Sequence, residues 1–138
     1  MIHPELILPF DLESVECLLE SHLRLTGWPL LAPVDGESPD ALARRLYDAP
    51  CVVLAHDKEA DPRFTYANRA AQRLFERPWG EIVGLPSRLS AEAPAREERQ
   101  RLLDRVAARG YIDDYSGVRI SKSGRRFRIL RATVWNVH

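Results

Sequence analysis

The side chains of this sequence best suited to chemistry are four histidines, two cysteines and a cluster of arginines. Their spacing limits what that chemistry can be. His56 precedes Asp57, a pair that can bind a ligand or titrate near neutrality; the plainer alternative is a strand-end histidine with ordinary hydrogen bonds. His3, His22 and His138 are too scattered to assemble a metal site with it. Cys17 and Cys51 lack the spacing of a metal or redox pair, and two thiols make no disulfide framework. Arg88 stands between Ser87 and Ser90 ahead of a helical stretch. There a guanidinium, hydroxyls and free amides can together hold a carboxylate or phosphate, or Arg88 can simply pair with Glu92 or Asp113. Arg119, Lys122, Arg125, Arg126, Arg128 and Arg131 form the one basic cluster. It suits an anion, a partner surface, or a solvated face paired with Asp113 and Asp114. No nucleophile elbow, phosphate loop, metal pair or carboxylate dyad is evident, so a non-enzymatic protein is expected.

Composition supports one soluble domain. The chain has 138 residues, 45% of them hydrophobic and 29% charged, enough for a single core without disulfide or metal. Twenty basic residues cancel twenty acidic ones, which removes the field that draws nucleic acid or anionic membranes. The absence of a long apolar run and of a secretory pattern, together with the cysteine usage, fits a cytoplasmic protein.

Asp11 predicts the cap of a helix through Val15, Leu18, Leu19, His22 and Leu23 that ends at Gly27. A Pro/Gly-rich connector and a short helix capped by Ser38 or Asp40 follow. Residues 1–40 are therefore expected to pack on a core formed by residues 41–138. The apolar run from Cys51 to Ala55 reads as a central strand buried on both faces, with Cys51 inside. Phe64 to Ala67 reads as its antiparallel neighbour, and Asn68 as the cap of a short helix. Ser90 predicts the start of a longer helix that stops at Gly110. Period-two alternation on either side of Lys122-Ser123-Gly124 predicts a long hairpin, with Phe127, Ile129, Thr133, Trp135 and Val137 on one face. The expected class is α+β, an antiparallel sheet with short helices and one longer helix on one face, preceded by an N-terminal helix.

Several stretches resemble a known family. Phe64-Thr65-Tyr66-Ala67-Asn68 followed by Leu74-Phe75-Glu76 is similar to the second strand and first helix of PAS domains. Pro86 to Glu92, Arg96 to Arg99, Gly110 to Ser121, Gly124 to Ile129 and Val134-Trp135-Asn136 together resemble the MEKHLA domain family, which is PAS-related. The likeness runs from about Leu18 to the C-terminus and implies a sensing or regulatory role. Ala55-His56 stands where the family has Ser-His. Family members continue past Trp-Asn into one more strand, lying between the first and the penultimate, whereas the given sequence stops at Val137-His138. The resemblance then implies a rearranged pairing, a strand from another chain filling the slot or, equally, a sequence cut short of that strand.

A PAS-like cup that holds a small organic or anionic ligand would touch it through Tyr66, Asn68, Phe75, Tyr115 and Phe127, with His56 and Arg88 at its rim. The cofactor stays open. Arg69, not Cys, follows Asn68, and Ala91 to Arg109 contains no His, so neither a thiol-linked flavin nor haem is expected; flavin held without a covalent bond is not excluded. The competing reading is a dimerisation module with a filled core, joined through the sheet and an apolar stripe at Leu12, Leu19 and Leu23. A homodimer is expected, and nucleic acid is not, because no stacking platform accompanies the arginines.

Overall fold

The computed structural model describes residues 8–137, apart from the side chains of residues 93–96 and 99; His3 and His138 lie outside them. Helix α1 (Leu12–Thr26) starts where Asp11 accepts a hydrogen bond from Ser14 N and stops at Gly27, whose φ of 81° suits glycine. Ser38 caps α2 (Pro39–Tyr47) through Ala41 N. Strands β1 (Leu54–His56) and β2 (Phe64–Ala67) pair antiparallel. Asn68 caps α3 (Arg69–Phe75), and α4 (Trp79–Ile82) and a 3₁₀ turn at Ser87–Ser90 follow. The longer helix α5 (Ala93–Arg109) begins at Glu92, not at Ser90. Ser90 Oγ instead donates to Ser87 O inside the 3₁₀ turn. Gly110 leads directly into β3 (Tyr111–Ile120), which pairs antiparallel with β4 (Arg126–Trp135).

Three apolar clusters fill the molecule. The first joins Val15 and Leu18 of α1 to Ala43, Leu46 and Tyr47 of α2 and to Val53 and Tyr66, so it spans both sides of position 40. The second holds Phe64, Ala67, Ala71, Phe75 and Ile82. The third sits under α5, with Leu102, Val106, Ile112 and Tyr115. Strand β4 touches all three, through Val137 just beyond its end, Phe127 at its start, and Ile129, Ala132 and Val134 in between.

That distribution corrects the single apolar face expected of β4. Leu130 and Arg131 together oppose Ser116, and Asp113 with Asp114 oppose Thr133, so each strand carries an extra residue. Arg131 takes φ 51°, a left-handed conformation costly for a side-chain-bearing residue. The bulge moves Ala132 and Val134 to the α5 side and leaves Leu130 65% exposed. Trp135 faces α1, where its Nε1 donates to the buried Ser21 hydroxyl at 2.9 Å and its ring meets His22 edge-on at 4.9 Å. His22 is thus a packed residue, its Nδ1 2.8 Å from Trp28 O.

The strands form two separate two-stranded ribbons, β1 with β2 and β3 with β4. No ladder among the described residues joins β1 to β4, so the rearranged pairing does not occur there. The run expected to be buried on both faces is correspondingly open: Val53 is buried, but Val52 is 44% exposed and Cys51 lies at the surface. No helix of the described residues is long and apolar enough to cross a membrane.

Candidate functional site

Asn68 is fully buried and belongs to the framework. Its Oδ1 accepts from Val53 N at 3.0 Å and Ala71 N at 3.1 Å, and its Nδ2 donates to Cys51 O at 2.7 Å and Leu46 O at 3.2 Å. Both lone pairs and both hydrogens of the amide are thereby used. This corrects the expected ligand contact: Asn68 has nothing left to offer a ligand.

The other expected contacts divide among the clusters. Tyr66 packs in the first, edge-on to Trp79 at 5.6 Å and 6.2 Å from Phe10. Burial holds its hydroxyl well above the ordinary tyrosine range, with the nearby Tyr47, Asp48 and Cys51 adding to the effect. Phe75 and Phe127 meet edge-to-face at 5.1 Å and tie the second ribbon to α3. They are the one pair of the expected set that the fold brings together. Tyr115 lies in the third cluster beneath the guanidinium of Arg119, 5.4 Å from the ring centre. Gly117 is required beside it, since a Cβ there would come within 2.2 Å of the Tyr115 hydroxyl. The Tyr66 and Tyr115 hydroxyls are buried without a hydrogen-bond partner.

The two rim residues are engaged at the surface. His56 is exposed, with Nδ1 2.7 Å from Asp57 O. Arg88 pairs with Asp61 at 3.1 Å, both half exposed, rather than with Glu92 or Asp113. The basic hairpin also pairs differently from expectation. Lys122 meets Glu81 at 2.5 Å, Arg126 forks onto Glu92, and Asp114 turns to Arg105 of α5. Arg128 and Arg131 have no ion-pair partner among the described residues.

What stands open is the seam between the ribbons. The outer edge of β2 is covered by the loop before α5, through Phe64 N to Leu85 O, Gly84 N to Phe64 O and an Arg63–Pro86 bridge. Among the described residues, no strand covers the outer edges of β1 and β4. Strand β4 starts against the cluster lined by Leu54 and leads to Val137 against the cluster lined by Val53 and Ala55, so the two strands share two clusters. No residue of β4 is buried, whereas β3 buries Ile112, Tyr115, Gly117 and Arg119. A group missed from the sequence is Arg69, Arg73 and Arg77, which line a cleft beside Tyr47; their four-residue spacing was the available signal.

Comparison with known proteins places this geometry. The family model of the MEKHLA domain matches residues 12–138. The chain belongs to the MEKHLA domain family. Among solved structures, this MEKHLA chain is similar to an RNA-binding light-oxygen-voltage receptor, at 21% identity and a TM-score of 0.58 over 72% of this chain and 30% of the receptor. It is similar to a light-oxygen-voltage domain studied with a flavin analogue, at 18% identity and a TM-score of 0.52 over 64% of this chain and 66% of the other. The light-state dimer of the fungal blue-light photoreceptor Vivid matches at 15% identity and a TM-score of 0.53, over 91% of this chain and 84% of Vivid. The chain thus spans less than a third of the RNA-binding receptor and just under two thirds of the second domain. These likenesses establish a fold of the light-oxygen-voltage and PAS type, mixed helix and antiparallel strand with a helix in front. No curated protein matches.

Proposed function

We propose that this MEKHLA chain is a non-enzymatic, cytoplasmic regulatory module of the PAS type that works by protein–protein interaction, with a second copy contributing a strand to the seam between β1 and β4. The observation that carries the reading is the pair of uncovered strand edges flanked by exposed Val52 and Leu130. Unpaired edges with apolar neighbours are templates for strand addition. The apolar stripe of α1 is not the dimer contact in this reading, since Leu12 and Leu19 are packed against the first cluster and only Leu23 is left largely exposed.

The test is solution mass by light scattering, joined to amide exchange. A dimer is expected, with amides of residues 52–56 and 127–133 protected in proportion to dimer fraction. Val52→Glu with Leu130→Lys, both at exposed positions, is expected to give a folded monomer. A monomeric wild-type protein at high concentration, or a dimer indifferent to both changes, overturns the proposal. The buried, unpaired hydroxyls of Tyr66 and Tyr115 favour a second reading, a small organic ligand in the interior. Native mass spectrometry and an absorption spectrum of freshly purified protein separate the two.

A further inference from the structure

Tyr47, Arg69, Gln72, Arg73, Glu76 and Arg77 line an open cleft of about 530 Å³ beside α3. That volume lies within the range of about 300–1,000 Å³ found for small-molecule sites. Most of the lining is already engaged. Arg69 lies over the Tyr47 ring, 5.4 Å from its centre, and pairs with Asp48 at 3.2 Å. Glu76, the one carboxylate of the lining, receives the Ser123 hydroxyl at 2.6 Å. Gln72 Nε2 donates both hydrogens, to the Tyr47 hydroxyl at 2.8 Å and to Ala67 O at 3.0 Å.

Apart from the Glu76 carboxylate, which keeps its charge, the unengaged groups are donors. Because the Tyr47 oxygen accepts from Gln72, the phenol hydrogen is free to be donated. The exposed Arg73 and the partly buried Arg77 have no carboxylate partner among the described residues. A partly buried guanidinium without a counter-ion is unfavourable until an anion supplies one. Two arginine forks beside a phenol donor match a group that only accepts and carries two charges, which is a phosphoryl group more than a carboxylate.

We propose that this cleft binds the phosphoryl group of a small organic phosphate, with Arg73 and Arg77 as its charge partners and Tyr47 as a neutral donor. The site is separate from the seam and needs no dimer. The probes are phenyl phosphate, inorganic phosphate and benzoate, titrated at fixed ionic strength while the arginine Nε–Hε resonances are followed. Saturable shifts confined to Arg73 and Arg77 are expected with phenyl phosphate. Inorganic phosphate should compete for the same shifts more weakly, and benzoate should bind about tenfold more weakly than phenyl phosphate, as expected for the loss of one charge-assisted hydrogen bond. Arg73→Ala and Arg77→Ala should each weaken phenyl phosphate by about tenfold or more, Tyr47→Phe by less, and Arg105→Ala on α5 not at all. Equal affinity for benzoate overturns the assignment. So do an unchanged affinity in Arg77→Ala and unsaturable shifts shared by all surface arginines.

Discussion

The two ribbons are held in opposite ways. The β1–β2 ribbon is short, three residues against four, yet Phe64, Tyr66 and Ala67 are buried and Asn68 fastens it to the chain before β1 and to the end of α2. The β3–β4 ribbon runs ten residues on each strand, but two bulges interrupt it and β4 buries nothing fully. Ladder length therefore does not measure how firmly a ribbon is built in. One ribbon is fixed by buried side chains and the Asn68 amide, the other by a long ladder packed on α5 and pinned at Phe127 and Trp135.

The sharpest way to break this comparison is Asn68→Ala. Four hydrogen bonds vanish, and the N–H groups of the buried Val53 and Ala71 lose their acceptor, so a loss of about 3–5 kcal/mol is expected from denaturant titration. The loss should be global, because the bracket joins the first and second clusters. Next in size is Phe127→Ala, expected to cost about 2–3 kcal/mol, since the ring is only partly buried but meets Phe75 edge-to-face. Its signature is regional: amide exchange should rise in β3 and β4 while β1 and β2 keep their protection. Uniform loosening would mean that the ribbons are one cooperative unit.

Local signals in the sequence served well where a single side chain decides the outcome. Asp11, Ser38, Asn68, Gly27 and Gly110 mark helix ends because each satisfies backbone groups within four residues of itself. The Cys51 to Ala55 run misled: the strand begins only at Leu54, and of the residues before it Val53 is buried while Cys51 and Val52 lie at the surface, because no layer of the described residues covers their side of the chain. The Arg131 bulge was invisible, as no Gly or Asn announces its positive φ. For the site, the cap role of Asn68 was legible, but its bonds to Cys51, Val53 and Leu46 depend on chain brought back from up to 22 residues away. The same holds for Arg88, whose partner Asp61 lies 27 residues back, before β2.

A smaller effect of the opposite sign sharpens the comparison from inside the third cluster. The Tyr115 hydroxyl is buried without a partner, so Tyr115→Phe removes an unsatisfied group and leaves the ring under Arg119. Stability should be unchanged or higher by up to about 1 kcal/mol in thermal or denaturant unfolding. A clear destabilisation would show that the hydroxyl finds water or a ligand in solution.

The smallest effect concerns the only ion pair between the start of α5 and the start of β4 among the described residues. Arg126 donates to both oxygens of Glu92, the second contact at 3.0 Å, and holds that carboxyl below the usual glutamate range. A carboxyl whose folded value is depressed stabilises the fold above its unfolded value of about 4.3, and that contribution disappears as pH falls through the lower folded value. Glu37, held by Arg45, and Glu76, held by Ser121 and Ser123, act in the same direction. Total acid sensitivity therefore cannot isolate the pair, whereas Glu92→Gln can. Below about pH 4.3 the variant should lose less stability than the wild type on further acidification. The difference should shrink in high salt because both groups are exposed. Amide exchange should locate it at the start of β4 and leave β1 and β2 unchanged. If β1 and β2 respond equally, the pair reports on the whole fold, and the contrast between the two ribbons fails at its most exposed point.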